Sequence, residues 1–353
     1  MKKLLAAALM LFAATSALAA DEFHLYNWNN YLALDTVERF EAFCKCKVVQ
    51  TYYGDNEEML AKLAAGASGY DMIVPTGNAL EPLIKQDFLK PLDKAQLPNI
   101  KNMNPAFMNT DFDKGNKYSV PYAYTITMLG YNDVKMKELG ITVDSWAVIF
   151  DPAILAKIKG KVTVLDSANE LMAAALKYKG YSANDTDEKH WAEAKDVIMK
   201  AKPYWAAFNG TSYIKELTVG NIWVAHGYSN DIFQANADAQ TAKRPFHIVH
   251  ALPKEGAVLA LDNMVIPKSA PRPDLALKFM NFMMDGKNSS DLTNMMGSGN
   301  PNSDAAKYIK PEIIKNGAIF PDKAGMSKLE MLRDLDSKKR RVRNKIWTEI
   351  RAS

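Results

Sequence analysis

The feature that most limits how this chain can fold is a regular alternation of short β-prone runs with amphipathic helical stretches. Residues 24–27 read as a strand, and Asp35 with Glu38 three positions on is a capping-box pattern. Val37, Phe40 and Phe43 then supply a helical stripe. Residues 47–53, rich in Val and Tyr, read as a second strand. Asp55 opens a helix with Glu57 and Glu58 in its first turn, Gly66 closes it, and residues 70–74 read as a third strand stopped by Pro75. The second half repeats the theme, with strands at 161–165, 221–225, 247–252 and 258–266. Helices are expected from about 169 to 178, from about 232, from about 273 to 284, and from about 328 to the end. Strand–helix–strand units of this kind build a parallel α/β sheet.

At 353 residues the chain exceeds what one hydrophobic core usually serves, which points to two domains. No repeat or low-complexity linker separates them, so two lobes joined by strands that cross between them are expected. The first residues carry a targeting pattern. Lys2 and Lys3 precede an apolar run over 4–12, and Ala17-Leu18-Ala19 is a small-x-small site, so residues 1–19 read as a signal peptide cleaved after Ala19. That run is too short to span a bilayer, so export to a bacterial periplasm is expected. The formal charge of +4 includes both leader lysines and is too small to argue for nucleic acid or a membrane surface. The cluster Lys338-Lys339-Arg340-Arg341 reads as a solvated helix face. Cys44 and Cys46 lie two positions apart, where a bridge would close a very small ring. They read as small semi-buried residues, with a strained redox pair as the alternative.

In open α/β sheets the ligand crevice lies beyond the carboxyl ends of the strands. The segments that follow strands are therefore the candidates: Trp28-Asn29-Asn30-Tyr31, Thr76-Gly77-Asn78, residues 166–170, and Tyr228 to Asp231. Catalytic signatures do not fill them. Gly227-Tyr228-Ser229-Asn230-Asp231 matches a nucleophile elbow only at its start. There is no HExxH, P-loop or GxGxxG, and the five histidines show no metal-ligand spacing. Neither an enzyme nor a metal or cofactor is expected.

Asp262 interrupts the apolar run AVLALDNMVI. A buried carboxylate there needs a partner, which can be an internal Arg or Lys, water at a strand end, or a bound cation. Glu170 and Asp231 each have a capping explanation, Ser167-x-x-Glu170 for the first and Asp231 with Gln234 for the second. Trp28, Tyr31 and Tyr228 can be core rings. Taken together after strands, rings and carboxylates suit an organic cation. Ring faces attract ammonium groups, carboxylates accept their hydrogens, and amides such as Asn29 and Asn30 take the remainder.

Several segments carry a family resemblance over essentially the whole chain after the leader: YNWNNY, LAAGASGYDMIVPTG, YSVPYAYTITMLGYN, VDSWAVIFDP, LDSANELMAAALKYKG, VAHGYSNDIFQAN, LPKEGAVLALDNMVIP and RVRNKIWTEI. The chain resembles the periplasmic polyamine-binding proteins of bacterial ABC importers, those for putrescine and spermidine. The resemblance implies a two-lobed α/β fold, a Venus flytrap that closes on its ligand. The expected lobes are 20–127 with 262–308, and 128–261 with 309–353. It implies a small organic cation as ligand, an inner-membrane permease as partner, and a monomer. It places the cleft wall on Trp28, Asn29, Asn30 and Tyr31, the small hydroxyl on Thr76 with Asn78 beyond it, the ammonium-binding acids on Glu170, Asp231 and Asp262, and a ring on Tyr228. Asn30, Ala260 and Ser298 stand where the family usually has an acid and two rings. The expected ligand is therefore a polyamine-like cation whose identity stays open. The alternative is the same fold around another small solute, such as a substituted amine, an aminophosphonate or an anion.

Overall fold

The computed structural model describes residues 21–353, so the expected signal peptide lies outside the described residues. Nine strands are present among them: β1 (Asp21–Trp28), β2 (Cys46–Tyr53), β3 (Met72–Ile73), β4 (Ser119–Asn132), β5 (Val162–Val164), β6 (Ala207–Phe208), β7 (Val224–Tyr228), β8 (Ile248–Ala251) and β9 (Leu259–Val265). They run in the order β2-β1-β3-β9-β4-β7-β5-β6, with β8 also paired to β4. Both ends are parallel, β1 with β2 and β3 and β5 with β6 and β7, as strand–helix–strand units require. The centre is antiparallel, where β3, β9, β4, β7 and β8 meet.

Alternation along each strand sorts side chains onto the two faces of the sheet. In β1, Phe23 and Leu25 enter a core with Phe40, Met72, Met264 and Phe279, while Tyr26 faces the opposite layer with Tyr53, Met59 and Leu80. The second lobe has its own larger core, around Trp146, Phe150, Val164, Leu171, Trp191 and Val224. The long strand β4 serves both. It pairs with β9 from Ser119 to Ile126 and with β7 from Thr127 to Tyr131. Val120 and Ala123 enter the first core, and Met128 and Leu129 the second.

Several expectations are corrected. The helix Leu34–Cys44 has Ala33 at its N-cap and no side-chain cap, so the Asp35/Glu38 capping box does not form and Asp35 lies in the first turn. Cys44 and Cys46 form a disulfide. Lys45 between them is the helix C-cap in the left-handed region (φ 56°), and this turn brings the two Cα atoms to 5.2 Å. The strand expected at 221–225 lies at Val224–Tyr228, so the following helix begins at Ser229. The last helix starts only at Ser337. The segment before it is held out of helix by Glu330, whose backbone bonds Ala257 and Leu259 and whose carboxylate takes Lys177.

Candidate functional site

Asp262 sits in mid-strand on β9, opposite Ala123 of β4 and bridged to Thr76 on its other side. It is 6% exposed. The Tyr31 hydroxyl donates to Oδ2 at 2.7 Å and the Thr76 hydroxyl to Oδ1 at 2.6 Å. Among the described residues no basic side chain lies within salt-bridge distance, so Asp262 is neither paired internally nor open to water. Burial pushes its carboxyl up to about 6, against the two hydroxyl bonds. Tyr31 is itself buried and leans on Tyr122, whose hydroxyl donates to the Tyr31 carbonyl at 2.6 Å. Trp28 spends its indole N–H on the Val74 carbonyl at 2.9 Å and packs against Tyr53, leaving ring surface rather than a free donor. Asn29 and Asn30 lie exposed in the turn after β1, with Asn30 at a φ of 54° that Asn tolerates.

The second cluster is built by two helix starts. Ser167 caps the helix Ala168–Tyr178, its hydroxyl accepting from the Glu170 N–H at 3.4 Å. The reciprocal half of that box is absent, because the Glu170 carboxylate accepts instead from Thr127 Oγ1 at 2.8 Å. Glu170 is 8% exposed, and burial pushes its carboxyl up to about 7. Asp231 lies in the first turn of the helix Ser229–Thr241, capped by Tyr228 without a side-chain bond. Its carboxylate accepts from the Tyr213 hydroxyl and from Asn230 Nδ2, and burial raises its pKa. The same Tyr213 oxygen accepts the Tyr228 N–H at 3.1 Å. Gly227 makes room for this arrangement, since a Cβ there would stand 2.5 Å from the Tyr213 ring.

Tyr228 ties the two clusters together. It pairs with Thr127 across β4 and β7, which sets its ring beside the hydroxyl that holds Glu170. Its phenol pKa is driven far up, first by burial, then by the charges of Glu170, Asp231, Asp262 and, more weakly, Glu57. Acids of both clusters thus act on one ring. Asn78 lines a cavity of about 460 Å³ together with Asn169, the neighbour of Glu170.

Sequence reasoning missed Thr127, Tyr213, Tyr53 and Tyr122. Thr127 and Tyr213 supply hydroxyls to acids 43 and 18 positions away. Only the resemblance-bearing segment YSVPYAYTITMLGYN signals the first of these, and nothing local signals Tyr213. Among the described residues no group of three or more His, Cys, Asp or Glu is placed to hold a metal, and no helix is long and apolar enough to cross a membrane. What the site offers is negative charge, hydroxyls and ring faces. Each of its acids has hydroxyl or amide donors and, among the described residues, no internal cation, so a positively charged guest would complete them.

Comparison with known proteins agrees with this chemistry. The model of the bacterial extracellular solute-binding protein family matches residues 35–321. A putrescine/cadaverine-binding protein of Pseudomonas aeruginosa is 57% identical over 99% of both chains. The putrescine-binding periplasmic protein PotF of Escherichia coli is 34% identical, over 99% of this chain and 96% of its own. Among solved structures, the spermidine/putrescine ABC transporter substrate-binding protein PotD of Streptococcus pneumoniae superposes with a TM-score of 0.84. It is 25% identical, covering 94% of this chain and 99% of its own.

Proposed function

Because the chain belongs to the bacterial extracellular solute-binding proteins, we propose that its cleft captures a polyamine-like organic cation of the putrescine class and delivers it to an ABC importer. Asp262 anchors one ammonium group, and Glu170 with Asp231 anchors the other. Trp28, Tyr31 and Tyr228 cover the methylenes between them, with Thr76 holding Asp262 in place. Asn29, Asn30 and Asn78 form the polar rim. The observation that carries this reading is Asp262, a buried carboxylate that among the described residues is bonded through its side chain by two hydroxyls alone. A carboxylate kept there at such desolvation cost finds its missing partner in a cation. Among the described residues no basic side chain bonds these acids.

In this reading residues 20–127 with 262–308 form one jaw, and 128–261 with 309–353 the other. The handover of β4 from β9 to β7 at Thr127 supports that division. Ligand touching both jaws favours the closed state, which an inner-membrane permease accepts. The protein works as a periplasmic monomer after cleavage behind Ala19.

Isothermal titration calorimetry with putrescine, cadaverine and spermidine tests the proposal. Saturable binding of at least one, lost in Asp262→Asn, is expected. Tight binding of a carboxylate or phosphonate solute and none of an amine would overturn it.

A further inference from the structure

The cavity of about 460 Å³ has none of the acids Asp262, Glu170 and Asp231 in its walls, yet it is lined by Asn169, the residue before Glu170. Its walls include Asn169 and, across the gap, Asn78 and Glu57. A longer amine held by the same acids must send its extra arm there. The charges in that space are unevenly matched. Arg333 pairs with Asp111 and Arg340 with Asp334, and Asp185 pairs with His190. Arg343 differs. It is half-buried and donates to the side chains of Asn169 and Asn344, and among the described residues no carboxylate lies within salt-bridge distance of it. Glu57, exposed on the opposite wall, likewise has no salt bridge. Arg343 and Glu57 line the same cavity; burial holds the Arg343 guanidinium below its ordinary pKa, the Glu57 charge opposes that fall, Arg340 adds to it and Asp334 opposes it more weakly.

We infer that Arg343 is a length-limiting specificity residue: a fixed cation, steadied by Asn169, that occupies the field of Glu57 and repels the third ammonium of a triamine. This rests on the amine reading of the main site. The selectivity is built by a repulsive element as well as by attractive ones. A diamine ends at Glu170 and carries no third charge toward it. A triamine must bring its third charge into the cavity that Arg343 lines or stay outside, and like charges in a partly dry cavity repel much more strongly than in water.

The test is calorimetric titration of putrescine and spermidine into the full mature protein and its variants. Wild type should bind putrescine more tightly. Arg343→Gln should raise spermidine affinity about tenfold, with putrescine held within about twofold, because only the extra charge feels the change. Adding Glu57→Gln to Arg343→Gln should cancel that gain, and Arg343→Lys should keep the discrimination. Arg343 also ties down Asn169, so the exposed Glu57→Lys gives an independent arm. It adds a second cation to the cavity and should weaken spermidine about tenfold and putrescine little. Intact putrescine binding with an unchanged ratio of the two affinities in Arg343→Gln and Glu57→Lys overturns this inference alone. Absence of any amine binding to wild type overturns the main site and this inference together.

Discussion

The two ends of the cleft hold acid in different ways. At one end Asp262 stands in the middle of a strand, in a sheet interior, with a Tyr and a Thr hydroxyl as its donors. At the other, Glu170 and Asp231 stand in the first turns of two helices, where unsatisfied N–H groups and the helix dipole favour negative charge. Burial outweighs that advantage: it pushes Glu170 up to about 7, much as it pushes Asp262 up to about 6. Glu170 is therefore the one of these two that takes up its proton first as pH falls.

The contrast is most severely tested by Asp262→Asn. It removes the only carboxylate at its end, and losing one partner of a buried charged pair costs about 2–5 kcal/mol, so affinity for putrescine should fall about a hundredfold or more. Ligand-free melting temperature should stay level or rise, since the variant no longer buries an unpaired charge. Near-wild-type affinity by calorimetry would show that the strand end is not an anchor.

Acidity should separate the two ends next. Both pKa values lie above those of free carboxyls, so the stability these acids contribute to the empty protein is fully present below the unfolded pKa. It is lost as pH rises through about 6 for Asp262 and about 7 for Glu170. Cation binding runs the other way, because it needs the ionised forms. Affinity should drop about a hundredfold from pH 8 to pH 5, with protons released on binding near pH 6.5, seen as a buffer-dependent heat. Asp262→Asn should erase the lower inflection and keep the upper. A flat profile would mean that the acids are already ionised in the empty cleft.

Glu170→Gln and Asp231→Asn should each cost less than Asp262→Asn, about tenfold, because either acid covers in part for the other, and the double variant should approach the Asp262→Asn loss. A single variant as severe as Asp262→Asn would remove the asymmetry. Thr127→Val should move the upper inflection to higher pH and weaken neutral-pH affinity about threefold, as expected for one lost hydroxyl bond. Replacing Cys44 and Cys46 by Ser should leave affinity within about twofold and lower the melting temperature only slightly, because the ring they close is so short.

How much of this could be read from sequence follows the same division. Strands β1, β2 and β9 announce themselves through alternation and β-branched or aromatic content, and Asp262 stands out because it violates the apolar pattern around it. Glu170 and Asp231 are harder, because an acid in a helix's first turn has a sufficient explanation in capping. Only the folded chain shows their carboxylates turned to Thr127 and Tyr213 instead. The strand β4 went unread because Pro121 and Gly130 interrupt it. Pro121 lies at the point where the pairing with β9 shifts register, and Gly130 leaves room for Ile232, which a Cβ would approach to 2.7 Å. The disulfide was misjudged because its geometry depends on the backbone of Lys45, which spacing alone does not reveal.

The bare backbone at Gly227 carries a lesson for anyone who would retune this receptor. Because the aromatic ring of Tyr213 occupies the volume a side chain would claim, even alanine at 227 must evict the phenol that steadies Asp231. Positions 213 and 227 therefore behave as one inherited unit. Libraries that vary them separately will record mostly failures, and a working replacement for the tyrosine is the precondition for any change at the glycine.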